Sequence, residues 1–248
     1  MNSFFSRLLI GIFGIMLILT ANYFSYSLFG ILLLIILLLS GYELYKILNF
    51  RGISLILYFL PLLFLSSLYF NYLIIPLSYI WIISVFLILL LYKYKGSSIL
   101  YSIYLIIPFI LLFLIRKNYG ETRVLILLLT VWSMDTVSYF AGTFLGKRKI
   151  APLISPNKTV EGTIAGIIFS AAVFLILNKL FGYLSPIYYF ISILLPISGF
   201  YGDLFESFIK RKCNVKDSGS FLLAHGGVLD RFDSLLFMTV IYFFYLYI

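Results

Sequence analysis

The sequence predicts an all-α fold, a polytopic integral membrane protein with about nine transmembrane helices. Three observations predict it. Of the 248 residues 63% are hydrophobic, only 11% are charged, and the apolar residues fall in runs that approach the length of a bilayer crossing. A soluble domain is roughly 45–50% apolar and about 25% charged, so this chain lacks the polar surface needed to coat a globule in water. A soluble enzyme, a disordered chain and a secreted disulfide scaffold are excluded on that ground. The single cysteine, Cys213, permits no internal disulfide.

A crossing helix needs about 20 mostly apolar residues. Suitable runs cover 8–24, 26–44, 54–70, 73–91, 98–115, 123–145, 160–181, 186–209 and 228–248. Ala21-Asn22-Tyr23 is the thin divider between the first two. We read one membrane domain over 1–248, with 1–122 as scaffold helices and 123–248 as the helices and loops that carry chemistry.

The net charge is +9. The basic residues sit in short gaps between apolar runs, where the positive-inside rule and anionic lipid headgroups account for them. The bilayer is therefore the expected partner, and nucleic acid is not. If all nine runs cross, 14 Lys and Arg fall on the amino-terminal side and 4 on the other. That tally places the amino terminus and the late polar loops in the cytoplasm of a multi-pass cell-membrane protein. Nine of the 14 belong to two late loops, and without them the tally is 5 against 4.

Seven of the nine acids lie after residue 134. Ionisable groups inside a membrane cost about 2.5–3.5 kcal/mol each on insertion scales, so they are functional candidates. The sixth run carries Asp135, with Tyr139 and Gly142 on the same helical face. Asp135 reads either as an acid paired with a basic residue of a neighbouring helix or as support for a site. The following loop holds Lys147, Arg148 and Lys149, then Ser155, Asn157, Lys158, Thr159 and Glu161. Ser155, Asn157 and Thr159 are helix-capping types. Glu161 belongs to the first turn of the next helix, and Lys158 beside that helix start suits an anion. Ordinary capping explains the same residues. Gly142/Gly146 and Gly162/Gly166 are small-xxx-small pairs that predict close helix packing.

The richest segment contains Asp203, Glu206, Ser207, Lys210 and Arg211, then Lys216 and Asp217, then His225-Gly226-Gly227 with Asp230, Arg231 and Asp233. On a helix, Asp203, Ser207 and Lys210 share one face with Glu206 adjoining, and Asp230 and Asp233 lie one turn apart at the start of the last helix. Two carboxylate-bearing helix ends joined by a basic, Gly-rich loop suit phosphoryl chemistry. Carboxylates hold a hard divalent cation, Lys and Arg neutralise phosphate, and glycines let backbone N–H groups approach phosphate oxygens. One His and one Cys do not make a zinc site of the usual kind, Cys213 has no arranged base, and no nucleotide-binding P-loop sequence is present.

Ser207-x-x-Lys210-Arg211, Lys216-Asp217-x-Gly219 and His225-Gly226-Gly227-x-x-Asp230-Arg231-x-Asp233 together resemble the signature of the phosphatidate cytidylyltransferase (CDP-diglyceride synthetase) family. Trp132-x-x-Asp135 and Ser155-Pro156-x-Lys158-Thr159-x-Glu161-Gly162 are similar to that family as well. The resemblance covers about the last 120 residues. One departure is Leu223, where the family usually has Pro. The resemblance implies that CTP and phosphatidate give CDP-diacylglycerol and pyrophosphate. It also implies Mg2+ with a second cation, K+ being the candidate, held chiefly by Asp203 and Asp230, and it implies a homodimer.

On that reading Asp203, Ser207, Lys210 and Asp230 are catalytic. Lys158, Arg211, Lys216, His225 and Arg231 bind substrate, with the division of phosphates among them open. Asp135, Glu161, Glu206, Asp217 and Asp233 support the site. Ser207 either completes a cation shell or binds a phosphate oxygen. The phosphomonoester of phosphatidate is already anionic near neutral pH, so alignment and charge neutralisation are the catalytic requirements. An ion-coupled transporter and another lipid-dependent phosphotransferase are the competing readings; paired broken helices or repeat symmetry would mark the transporter.

Overall fold

The computed structural model describes residues 3–48, 83–84, 86–88, 98–183, 185–219, 221 and 226–247. Seven long helices appear among them: α1 (Ser3–Phe24), α2 (Tyr26–Leu48), α3 (Ser98–Tyr119), α4 (Glu121–Phe144), α5 (Val160–Leu180), α6 (Ile187–Lys212) and α7 (Asp233–Tyr247). They account for seven of the nine expected spans; 54–70 and most of 73–91 lie outside the described residues. Five of the helices, α2 to α6, are long and apolar enough to cross a membrane. Five crossings thus rest on length and composition, and nine remains the expectation from sequence.

The chain divides into two compact units, one made of Met1–Asn118 with Asp217–Arg231, the other of Tyr119–Lys216 with Phe232–Ile248. In the first unit Ser25 breaks the apolar run, and its hydroxyl accepts the Ser27 N–H at 3.1 Å at the start of α2. Gly30 lets α2 approach Phe113 of α3, since a Cβ there would sit 2.8 Å from that ring. Every residue from Tyr104 to Ile115 is buried despite Pro108 within the helix, so α3 is a core element of its unit.

In the second unit α4 packs along α5, α5 against α6, and α6 against α7. The α4–α5 contact has the small-residue basis expected from sequence. A Cβ on Gly162 would lie 2.6 Å from the Ser138 carbonyl and 2.7 Å from the Gly142 Cα, and one on Gly166 would meet the Ser138 side chain. At the start of α4, Arg123 donates to Asn178 Oδ1 and to the Tyr188 hydroxyl at 3.2 and 2.8 Å and stacks over the Tyr183 ring. One guanidinium therefore pins α4, α5 and α6 at one end.

At the other end α4 and α5 are joined by a hairpin that the sequence reading took for a loop. Strand β1 (Lys149–Ala151) pairs antiparallel with β2 (Ser155–Thr159), with an irregular register between Lys149 and Ala151. Ser155 and Asn157 are consequently strand residues. Thr159 alone caps α5, its hydroxyl accepting the Gly162 N–H at 3.2 Å.

Helix α6 ends on a left-handed Asn214, with the Asn214 and Val215 N–H groups returned to the Arg211 and Lys210 carbonyls. This arrangement is the Schellman stop, with Asn in place of the usual Gly.

Candidate active site

The second unit gathers acids from three helices. Asp203 of α6 pairs with Lys158 of β2, and Asp203 Oδ1 accepts the Ser207 hydroxyl at 3.4 Å. Asp135 of α4 accepts the Ser234 hydroxyl at 3.5 Å and feels the charges of Asp203, Asp233 and Lys158. Asp233 begins α7 and lies beside Glu206. Asp135 keeps accessible surface. Sequence spacing put Lys210 within reach of both Asp203 and Glu206. The structure pairs Lys210 with Glu206 at 3.3 Å, both nearly buried, while Lys158 takes Asp203.

Arg211, expected to bind substrate, and Glu161, expected to support the site, both have structural work. Arg211 donates to the carbonyls of Ile154 and Val215 at 3.1 and 3.0 Å, strapping the hairpin to the end of α6. Glu161 accepts the Lys147 and Arg148 N–H groups at 3.0 and 3.2 Å and so closes the hairpin onto the start of α5. Lys216 is exposed. Tyr139 lies 69% exposed beside Phe140 and does not join Asp135. Burial raises the Cys213 thiol above its ordinary pKa, which lowers its thiolate fraction and suits a spectator. A cavity of about 540 Å³ lined by Arg123, Tyr188, Leu194, Ile241 and Tyr245 is mostly apolar and contains none of these acids.

The first unit holds the Gly-rich segment. Asp230 is not on the last helix, as its spacing from Asp233 suggested, but in a 3-10 turn, Leu229–Arg231, ahead of α7. The reason is its hydrogen bonding. Both oxygens of Asp230 accept the Ser218 N–H at 3.1 Å, and Oδ2 also accepts the Gly227 N–H at 2.9 Å. Asp217 and Arg231 are exposed in this segment. His225 and Leu223 lie outside the described residues.

Sequence reasoning missed Glu43. It projects from α2, only 1% exposed, and accepts the Ser218 hydroxyl at 3.1 Å and the Val228 and Leu229 N–H groups at 2.9 Å. An acid inside a 23-residue apolar helix was the available signal.

The donor set can be tested against a hard cation. In the second unit four acids (Asp135, Asp203, Glu206 and Asp233) stand with two lysines (Lys158 and Lys210). These oxygen-only donors fit Mg2+ chemically. Among the described residues no three His, Cys, Asp or Glu are grouped to hold a metal by themselves. Mg2+ commonly takes only one or two carboxylates and completes its shell with water and substrate phosphate, so the fit holds.

The sequence model of the cytidylyltransferase family matches residues 5–248. The chain is 46% identical over 134 residues to the phosphatidate cytidylyltransferase of Bacillus subtilis (strain 168), covering 51% of this chain and 48% of that one. It is 39% identical over 146 residues to the Helicobacter pylori (strain 26695) protein of the same name, covering 58% and 54%. Against that of Rickettsia bellii (strain RML369-C) it is 37% identical over 166 residues, covering 62% and 72%. The chain thus spans about half the length of the first two of these relatives.

Proposed function

The chain belongs to the cytidylyltransferase family, and from that premise we propose that it transfers the cytidylyl group of CTP to phosphatidate, giving CDP-diacylglycerol and pyrophosphate. The names of its relatives, both phosphatidate cytidylyltransferases, support the substrates. The observation that carries the reading is the gathering of Asp135, Asp203, Glu206 and Asp233 with Lys158 and Lys210 among apolar helices.

Bound Mg2+ would neutralise phosphate charge and polarise the CTP α-phosphate. Asp203 and Asp230 are the carboxylates that the family resemblance assigns to it, with K+ as the second cation. Lys158 sits on Asp203 and is the side chain best placed to follow a phosphate brought there. Lys216 and Arg231, both exposed, offer further positive charge. Lys210 and Arg211 would bring their remaining N–H donors to a phosphate while held by Glu206, Ile154 and Val215. The lipid phosphate is itself the nucleophile, so no side chain has to remove a proton. Binding aligns the two substrates at a membrane boundary, and the amino terminus and the polar loops face the cytoplasm, where CTP is found. A homodimer is the assembly that the resemblance implies.

The test is purified protein with CTP and phosphatidate, with Mg2+ or with chelator. CDP-diacylglycerol forming only with the cation supports the reading; folded protein that forms none in either case refutes it.

A further inference from the structure

We infer that Glu43 is a positioning residue for the reaction proposed above: reaching in from α2, its carboxylate templates the Gly-rich loop and thereby orients Asp230. The inference rests on that proposed activity, but its geometry stands by itself. Glu43 is the one acid of a mostly apolar helix and is buried there, a costly place for a carboxylate. Its two oxygens accept three donors: Oε1 takes the Val228 N–H, and Oε2 takes the Leu229 N–H and the Ser218 hydroxyl. Ser218 in turn gives its N–H to Asp230, and Leu229 adjoins Asp230 in the chain. Glu43 and Asp230 therefore grip the same turn from two sides, and a shift of one is passed to the other through Ser218.

The glycines on either side of the loop fit this arrangement. The three nearest atoms to a Cβ built on Gly219 are Glu43 Oε1, Cδ and Cγ, at 2.5, 2.8 and 2.9 Å. A Cβ on Gly227 would meet the Ser218 hydroxyl and Glu43 Oε2. Two glycines of the signature are thus explained by the close passage of one side chain from a distant helix. A carboxylate suits the position because every partner is a donor. With Gln, an NH2 group would face either the Val228 N–H or the pair formed by Leu229 and Ser218.

The experiment uses the full chain in detergent and compares wild type, Glu43→Gln, Gly219→Ala, Glu43→Ala and the double variant Glu43→Ala with Gly219→Ala. Two readouts are taken: CTP turnover resolved into kcat and KM, and amide hydrogen exchange at Val228 and Leu229 against exchange in α4 and α5. Glu43→Gln and Gly219→Ala should each lower kcat by about tenfold or more, as expected when a charge-bearing group is misplaced. Exchange at Val228 and Leu229 should rise while α4 and α5 stay protected. Gly219→Ala should add nothing to Glu43→Ala, because the atoms it collides with are gone; such non-additivity is the mark of direct contact. Wild-type kcat and KM in Glu43→Gln, additive effects in the double variant, or exchange raised equally throughout the protein would each overturn the inference. If wild type makes no CDP-diacylglycerol, the proposed reaction falls, while the exchange pattern of the same variants still decides the templating.

Discussion

Replacing Lys210 by Met tests how the acid cluster is held together. The Lys210 Nζ lies 3.3 Å from Glu206 Oε2, with side-chain exposures of 11% and 1%. Met keeps the apolar stem and deletes the charge, leaving Glu206 in its buried place. Removing one partner of a buried pair costs about 3–5 kcal/mol, chiefly because the other charge is stranded. Lys210 keeps 11% exposure, so some solvent reaches the pair and the lower end, about 3 kcal/mol, applies. For a chain of this length 1 kcal/mol moves Tm by about 2–4 °C, and the expected fall is therefore about 6–12 °C. Adding Glu206→Gln removes the stranded charge and should recover most of that loss. Melting followed by intrinsic fluorescence in detergent measures both variants, and turnover on the same preparations separates the roles. If Lys210 serves only Glu206, the double variant regains activity with stability. If it also contacts phosphate, kcat/KM stays low in both. A Lys210→Met protein melting within about 2 °C of wild type, with no gain from the second change, would refute the reasoning.

Three further outcomes are expected. Asp230→Asn can turn its remaining oxygen to the Oδ2 position, which serves both the Ser218 and Gly227 N–H groups; Tm should change little while turnover falls more than about tenfold, a loss above about 1.4 kcal/mol, and activity close to wild type would remove Asp230 from the cation site. Gly162→Ala drives a Cβ into backbone atoms of Ser138 and Gly142, so overpacking should cost about 1–3 kcal/mol in a melting experiment, and an unchanged Tm would contradict the α4–α5 contact. A cysteine at Leu153, 92% exposed between β1 and β2, placed in a Cys213→Ser background, should react with an impermeant thiol reagent only after cells are opened. Labelling of intact cells would reverse the orientation.

The helices were legible because the length of an apolar run is a local property. The runs 123–145, 160–181 and 186–209 became helices at Glu121–Phe144, Val160–Leu180 and Ile187–Lys212. The glycine pairing of α4 with α5 was legible for a related reason: two small residues four apart mark a face whose partner helix follows directly in sequence. The β1–β2 hairpin was not, because each strand is short and carries no strong alternation of apolar and polar residues.

Choosing partners among charges needed the fold. Glu206 and Asp203 both stand at helical spacing from Lys210, and only packing decides that Lys158 takes Asp203. Asp230 and Asp233 looked like neighbours on one helix; the loop amides that claim Asp230 are folded back by contacts invisible in the local sequence. Glu43 lay furthest from reach. Its partners stand 175 to 186 residues away, and a lone acid in a featureless helix does not announce which loop it meets.

The central claim, cytidylyl transfer to a lipid phosphate, is tested most directly by following where the phosphates of CTP go. Purified protein is given phosphatidate, Mg2+ and CTP labelled at either the α- or the γ-phosphate, and the organic and aqueous phases are counted. Cytidylyl transfer sends the α-label into the lipid phase and leaves the γ-label in water as pyrophosphate, in equal amounts. Label from the γ-phosphate in lipid would mean a kinase, and no lipid label from folded protein would mean that phosphatidate is not the acceptor.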